Sequence, residues 1–111
     1  MALALNVFRT VTASFTTSAT TVYTSPAAYT GIVLLAQIAN VTGTSGTVTV
    51  SVTDPTSTTT ELLKDFEIPG NDAASAISGK LVIQTGCELK ISASANNKFK
   101  LTLSILESAN E

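Results

Sequence analysis

The chain has 111 residues, a formal net charge of −2 and an unusual inventory of side chains, with 19 Thr, 12 Ser, one Cys, no Trp and no His. Catalysis and metal binding at neutral pH rely on imidazole, thiolate and clustered carboxylates, so this composition argues against an enzyme, a metal site or a bound cofactor. The six Lys and Arg residues form no block of like charge, so we expect neither nucleic acid nor a membrane as a partner.

The length fits a single domain over residues 1–111, long enough to bury about two-thirds of its unfolded surface. Residues 2–5 alternate Ala and Leu, and we interpret residues 1–6 as an amino-terminal contact arm. A secretion signal is not expected, because no basic region precedes the apolar stretch. The one cysteine cannot form an internal disulfide, so a reducing cytoplasm would suit folding.

Apolar and hydroxyl side chains alternate with a period of two through most of the chain, which is typical of strands buried on one face. The alternation predicts about eight short strands. In chain order they cover 7–15, 20–25, 31–41, 47–53, 62–68, 80–84, 87–94 and 99–105. Residues 73–78 are rich in Ala and could form a helical turn, although six residues are few for a stable helix. Strands at this spacing predict an all-β, antiparallel sandwich of the jelly-roll or immunoglobulin-like type.

The segment 31–41 is the most hydrophobic of the predicted strands. Regular alternation places Ile32, Leu34 and Ile38 on one face and Leu35 on the other, so both faces are apolar. Such a strand lies either under a second layer of a sandwich or against a second chain. Both alternatives stand, and under the second the strand takes part in contacts between copies.

Two connections are predicted to close hairpins. The five-residue link 42–46, with its glycines, would join the third strand to the fourth. Asn96 and Asn97, which tolerate positive φ, would join the last two strands. The second hairpin would place charges opposite or diagonal to one another, with Glu88 and Lys90 facing Lys98 and Lys100.

Two residues have side chains suited to chemistry, and both fit a simpler role. Cys87 is the right type for a nucleophile, but no histidine can serve as its base, and its place on the same predicted strand face as Leu89 and Ile91 favours a buried core residue. Asp54 has Asp65, Glu67 and Asp72 nearby in sequence, yet no calcium-loop spacing appears, so a solvated acidic face is favoured.

Five segments resemble small virion structural proteins of tailed bacteriophages, especially phages of cyanobacteria and marine bacteria. They are 29–42, 47–54, 79–83, 86–90 and 103–107. The likeness covers roughly residues 20 to 107 and rests on strand texture and turn placement. It implies a β-sandwich that binds other virion proteins, as capsid decoration (cement) proteins and tail or fibre components do. It carries over no functional residue, because these families have no catalytic motif.

Two functions follow as hypotheses. The first is a non-enzymatic capsid decoration protein, a homo-oligomer such as a trimer, that binds the major capsid protein or another virion protein and resides in virions assembled in the host cytoplasm. The second is a tail, neck or fibre component that binds a receptor or glycan, which would expose aromatics such as Tyr23 or Tyr29. The loop tips carry Thr, Ser, Gly and Asn, which favours assembly. The candidate assembly surface comprises Leu3, Leu5, Val7, Phe8, Ile32, Leu34, Leu35 and Ile38.

Overall fold

The computed structural model describes residues 6–77 and 79–109, and it contains two antiparallel sheets packed face to face. Strands hold 65% of the described residues and no helix occurs among them, so none of that part of the chain could cross a membrane as a helix. The nine strands are β1 (Asn6–Ser14), β2 (Thr20–Thr24), β3 (Tyr29–Asn40), β4 (Gly46–Thr53), β5 (Thr59–Ile68), β6 (Ala73–Ser75), β7 (Leu81–Ile83), β8 (Glu88–Ala93) and β9 (Phe99–Ala109). The predicted all-β, antiparallel sandwich is confirmed, and the Ala-rich segment supplies the ninth strand.

The strands pair from the two ends of the chain inward: β1 with β9, β2 with β8, β3 with β6 and β7, and β4 with β5. The first sheet has the order β1-β9-β3, with β6 and β7 both paired to the far side of β3. The second sheet has the order β2-β8-β4-β5. The chain is therefore one long hairpin, centred on the β4–β5 loop and rolled up on itself. This is the jelly-roll arrangement, one of the two sandwich types predicted.

Both predicted hairpins are wrong. β3 and β4 belong to different sheets, as do β8 and β9, so the links after β3 and β8 cross from one sheet to the other. Neighbouring strands with one apolar face each can bury those faces against one another only by lying in opposite layers. Ile38 of β3 and Val48 of β4 are both buried in this way. Asn97 has a φ of 59°, as its turn role required, but the turn spans two sheets.

Buried polar groups hold these two links together. The Asn40 side-chain amide donates to the carbonyls of Thr44, Ile68 and Pro69 at 2.8 to 3.1 Å, and the Lys98 ammonium donates to the Thr42 and Thr44 hydroxyls at 2.8 and 2.6 Å. These bonds satisfy groups that would otherwise be costly to bury.

The predicted ion pairs across the β8–β9 turn are also wrong. Because β8 and β9 are in separate sheets, Lys98 bonds to hydroxyls of the 42–46 link, and Lys100 donates to Ser14 Oγ at 2.9 Å. Glu88 lies instead 3.7 Å from Lys90 on its own strand.

The core lies between the two sheets and consists mainly of aliphatic side chains, together with Tyr23 and two phenylalanines. Phe15 and Phe99 meet edge to face with their ring centroids 6.0 Å apart, and both are fully buried. Inward-facing residues of β9, such as Leu101, Leu103 and Ile105, alternate with outward-facing ones along the strand. This alternation defines an outer face for the first sheet, on the side away from the core.

Candidate assembly surface

A β-bulge interrupts β3 at Leu34. Val33 pairs with Ile105 and Leu35 with Ser104, so Leu34 has no partner of its own in the β3–β9 ladder. The extra residue reverses the alternation of β3. Before the bulge, Val33 is buried; after it, Ala36 and Ile38 are buried, and Leu34 and Leu35 are left 39% and 41% exposed.

An apolar row crosses the outer face of the first sheet on four neighbouring strands. Phe8 of β1 pairs with Leu106 of β9, Leu106 with Ile32 of β3, and Ile32 with Val82 of β7. Residues directly opposite in antiparallel strands point to the same face, so these four side chains stand side by side. Phe8 and Val82 at the two ends are 74% and 57% exposed.

The bulge places Leu34 and Leu35 next to this row, and we refer to the six residues together as the outer apolar patch. The next row along the outer face contains Thr10 and Ser104 beside Leu35, and the row after that contains Thr12, Thr102 and Gln37. The patch is therefore bounded by hydroxyl and amide side chains. An apolar centre with a polar rim is the usual composition of a protein interface.

The patch unites half of the predicted assembly surface. Phe8, Ile32, Leu34 and Leu35 belong to it, whereas Ile38 is buried in the core because the bulge turned it inward. Val7 pairs with the buried Glu107 and faces the inner side, and Leu3 and Leu5 lie outside the described residues. Of the predicted arm 1–6, only Asn6 is described, and it is the first residue of β1.

Sequence reasoning missed two members of the patch. Val82 lies in a predicted strand, but the sequence of that strand does not indicate which of its two faces packs against the core. Leu106 directly follows the buried Ile105, beyond the end of the predicted strand, and only the pairing of β9 with β1 and β3 shows that it lies between Phe8 and Ile32.

A buried carboxylate lies on the inner side of the sheet, directly behind the patch. Glu107 accepts a 2.8 Å bond from Arg9 Nε and a 2.7 Å bond from the Tyr23 hydroxyl. Burial raises the pKa of Glu107, but the bonds from Arg9 and Tyr23 outweigh it and hold that pKa below its ordinary value. Burial and the Glu107 carboxylate both raise the pKa of Tyr23. The cluster therefore holds a charged Glu107 and a neutral tyrosine at neutral pH.

The other residues that the sequence suggested for chemistry make contacts that belong to the fold. Cys87 is half-buried against the core, just before β8, rather than enclosed as predicted, because the strand begins only at Glu88. Asp54 Oδ1 accepts bonds from the backbone of Thr56 and Thr58 and from the Thr56 hydroxyl, which lower its pKa and close the β4–β5 loop. No cluster of three metal-ligating side chains occurs within residues 6–77 and 79–109. Tyr23 is buried and offers no platform for a sugar.

Comparison with known proteins gives one informative likeness. No family model matches the sequence, and no curated protein matches it significantly. Among solved structures, it is similar to a protein of the Bacillus endospore appendages, described as a novel family of disulfide-linked pili. The TM-score is 0.59 at 13% sequence identity, over 96% of this chain and 88% of that one. At this identity the two proteins share a fold.

Proposed function

We propose that this chain is a non-enzymatic structural protein that self-assembles, and that copies meet through the outer apolar patch. The carrying observation is the row Phe8, Leu106, Ile32 and Val82, which crosses four strands on a face that no other part of the described chain covers. Burying apolar surface is favourable by about 25 cal/mol per Å², so an interface over this row would stabilise an assembly. Contiguous exposed apolar patches mark interaction sites.

The similar appendage protein supports assembly into a polymer, since it belongs to pili. One chemical difference limits the analogy. This chain has a single cysteine, and one cysteine per chain joins at most two chains by a disulfide. A continuous series of disulfides would require at least two. We therefore propose that non-covalent contacts, the patch first among them, hold this assembly together.

The setting that we propose is the virion of a tailed phage, where the chain would act as a capsid decoration protein. The resemblance of residues 20 to 107 to small virion proteins supports this setting. The alternative is a subunit of an extracellular appendage, which the structural likeness to a pilus protein supports. Both settings use the same property, which is contact between many identical copies.

Light scattering on the purified chain, coupled to size-exclusion chromatography, tests the patch. Phe8→Lys and Val82→Lys place a charge in the row, and we expect the mass of the oligomer to fall toward that of the monomer. Phe66→Lys and Val41→Lys are matched controls, because these side chains are 43% and 53% exposed but lie outside the row. Equal effects of the four substitutions, or a monomeric parent protein at every concentration, would refute the proposal.

A second experiment separates the two settings. Phage particles that lack the protein should form but release their genome sooner on heating or osmotic shock, and mass spectrometry of normal particles should find hundreds of copies. Finding the chain in purified surface appendages and not in virions would reject the phage setting and favour the appendage.

A further inference from the structure

β1 forms an open edge of the first sheet. It pairs with β9 over nine consecutive residues without a register shift, and with no other strand in the described part of the chain. It contains neither Pro nor Gly, and its one charged residue, Arg9, is bonded to Glu107. A long, regular edge with few charges offers a row of backbone N–H and C=O groups to another strand.

The other edge strands are protected. β5 carries Glu61, Lys64, Asp65 and Glu67, its pairing with β4 shifts register twice, and Asp65 has a φ of 49°. β2 is five residues long and also shifts register, and β6 and β7 have three residues each. Charges, bulges and short length are the features by which proteins block pairing at an edge. β1 is long and has no bulge, and its single charged side chain is paired with Glu107.

The apolar row of the outer face ends at this open edge. Phe8, its last member, is the most exposed large hydrophobic residue in the described chain. A strand added beside β1 would place side chains against the side of Phe8 that points away from Leu106. Phe8 would then have neighbours on both sides and would no longer be the end of the row. A strand bound beside β1 would therefore satisfy the backbone groups of the open edge and cover the exposed end of the apolar row.

We propose that this strand is β1 of a second copy, antiparallel to the first, with a twofold axis perpendicular to the sheet at Thr10. This inference rests on the proposed self-assembly and adds a second contact, at the sheet edge where the row of the outer apolar patch ends. Thr10 is the midpoint of Asn6–Ser14, so this register alone lets all nine residues of both strands pair. The axis keeps both outer faces on the same side and joins the two sheets into one.

The side chains suit this register. Phe8 would lie opposite Thr12 of the second copy on the outer face, and aromatic side chains pair favourably with β-branched ones across strands. Arg9 would lie opposite Val11 of the second copy, so the two guanidinium groups do not face each other. Identical copies have the same open edge, and pairing covers both at once.

Charge substitution at the axis tests the pairing. In separate proteins, Thr10→Lys and Thr10→Glu would each oppose two like charges, and we expect the dimer dissociation constant to rise on the order of fivefold. Mixing the two proteins would oppose unlike charges and restore association. The matched control is Thr60→Lys with Thr60→Glu, exposed on the protected edge strand β5, where neither effect is expected.

Cross-linking with a short bis-maleimide in a Cys87→Ser background tests the register. Thr10→Cys should cross-link to itself across the axis. Ser14→Cys should not, because the two copies of residue 14 would lie about 27 Å apart at the rise of an antiparallel strand.

Suppose that the Cys87→Ser protein still associates by light scattering. The β1 contact is then overturned if the Lys and Glu variants of Thr10 do not restore association when mixed, or if positions 10 and 14 cross-link equally. If that protein is a monomer at every concentration, the proposed function fails as well.

Discussion

The hydroxyl of Tyr23 donates a 2.7 Å hydrogen bond to Oε2 of Glu107 and so joins β2 of one sheet to β9 of the other. Gly31, which pairs with Glu107, makes room for it, since a Cβ at residue 31 would lie 2.7 Å from the tyrosine oxygen. The position of the tyrosine ring, and with it the hydrogen bond to Glu107, therefore depends on the absence of a side chain at Gly31. Leu106, the residue before Glu107, belongs to the outer apolar patch. The Tyr23–Glu107 hydrogen bond therefore also supports the patch from the inner side of the sheet.

Replacing Tyr23 by Phe should destabilise the fold by about 1–3 kcal/mol, because buried Glu107 loses one of its two hydrogen-bond donors. Urea denaturation of Tyr23→Phe, Glu107→Gln and the double variant forms a cycle that isolates the bond. We expect the cost of Tyr23→Phe to shrink in the Glu107→Gln background. Strict additivity would mean that the hydrogen bond adds nothing to stability.

Acid should weaken the fold through Glu107. Its pKa is lowered in the folded protein, so its contribution to stability is fully present above the ordinary glutamate value of 4.5 and is lost as the pH falls through the folded pKa. The free energy of unfolding should therefore decline below about pH 4.5. Glu107→Gln should flatten this decline more than Asp54→Asn does, although the pKa of Asp54 is lowered in the same direction. An unchanged pH profile in Glu107→Gln would contradict this assignment.

Alternation in the sequence predicted the sandwich and most strand positions, because burial of one face imposes a period of two. It did not predict the sheets to which strands belong. The links after β3 and β8 have the composition of hairpin turns, and only the need to bury Ile38 and Val48 against opposite layers makes them cross over. Nor could it predict the outer apolar patch, since Leu106 and Val82 are brought together by strands distant in sequence.

The bulge at Leu34 shows the same limit within one strand. Regular alternation assigns Leu34 and Ile38 to one face, and the unpaired residue separates them. Leu35→Asp should therefore fold normally and lose self-association, whereas Ile38→Asp should unfold, because it places an unpaired charge in the core. Circular dichroism and light scattering measure the two effects. A folded Ile38→Asp protein would show that the alternation is not reversed.

The turn after β5 depends on a close backbone contact. A Cβ on Gly70 would lie 2.4 Å from the carbonyl of Gly43, which cannot move as a flexible side chain can. Gly70→Ala should cost about 2–3 kcal/mol as local overpacking. Gly43→Ala is the matched control, because a Cβ there meets nothing within 4 Å. Equal midpoints of thermal unfolding for the two variants would contradict the contact.

The mirrored pairing of strands has a consequence for synthesis on the ribosome. β1 and β3 both take β9 as their neighbour, so the first sheet cannot be completed until β9 has been made. Long-range pairing of this kind slows folding. Leu106, which connects Phe8 to Ile32 in the patch, is translated after both of them. A nascent chain therefore has no complete outer apolar patch, and association through it is postponed, until β9 has been made.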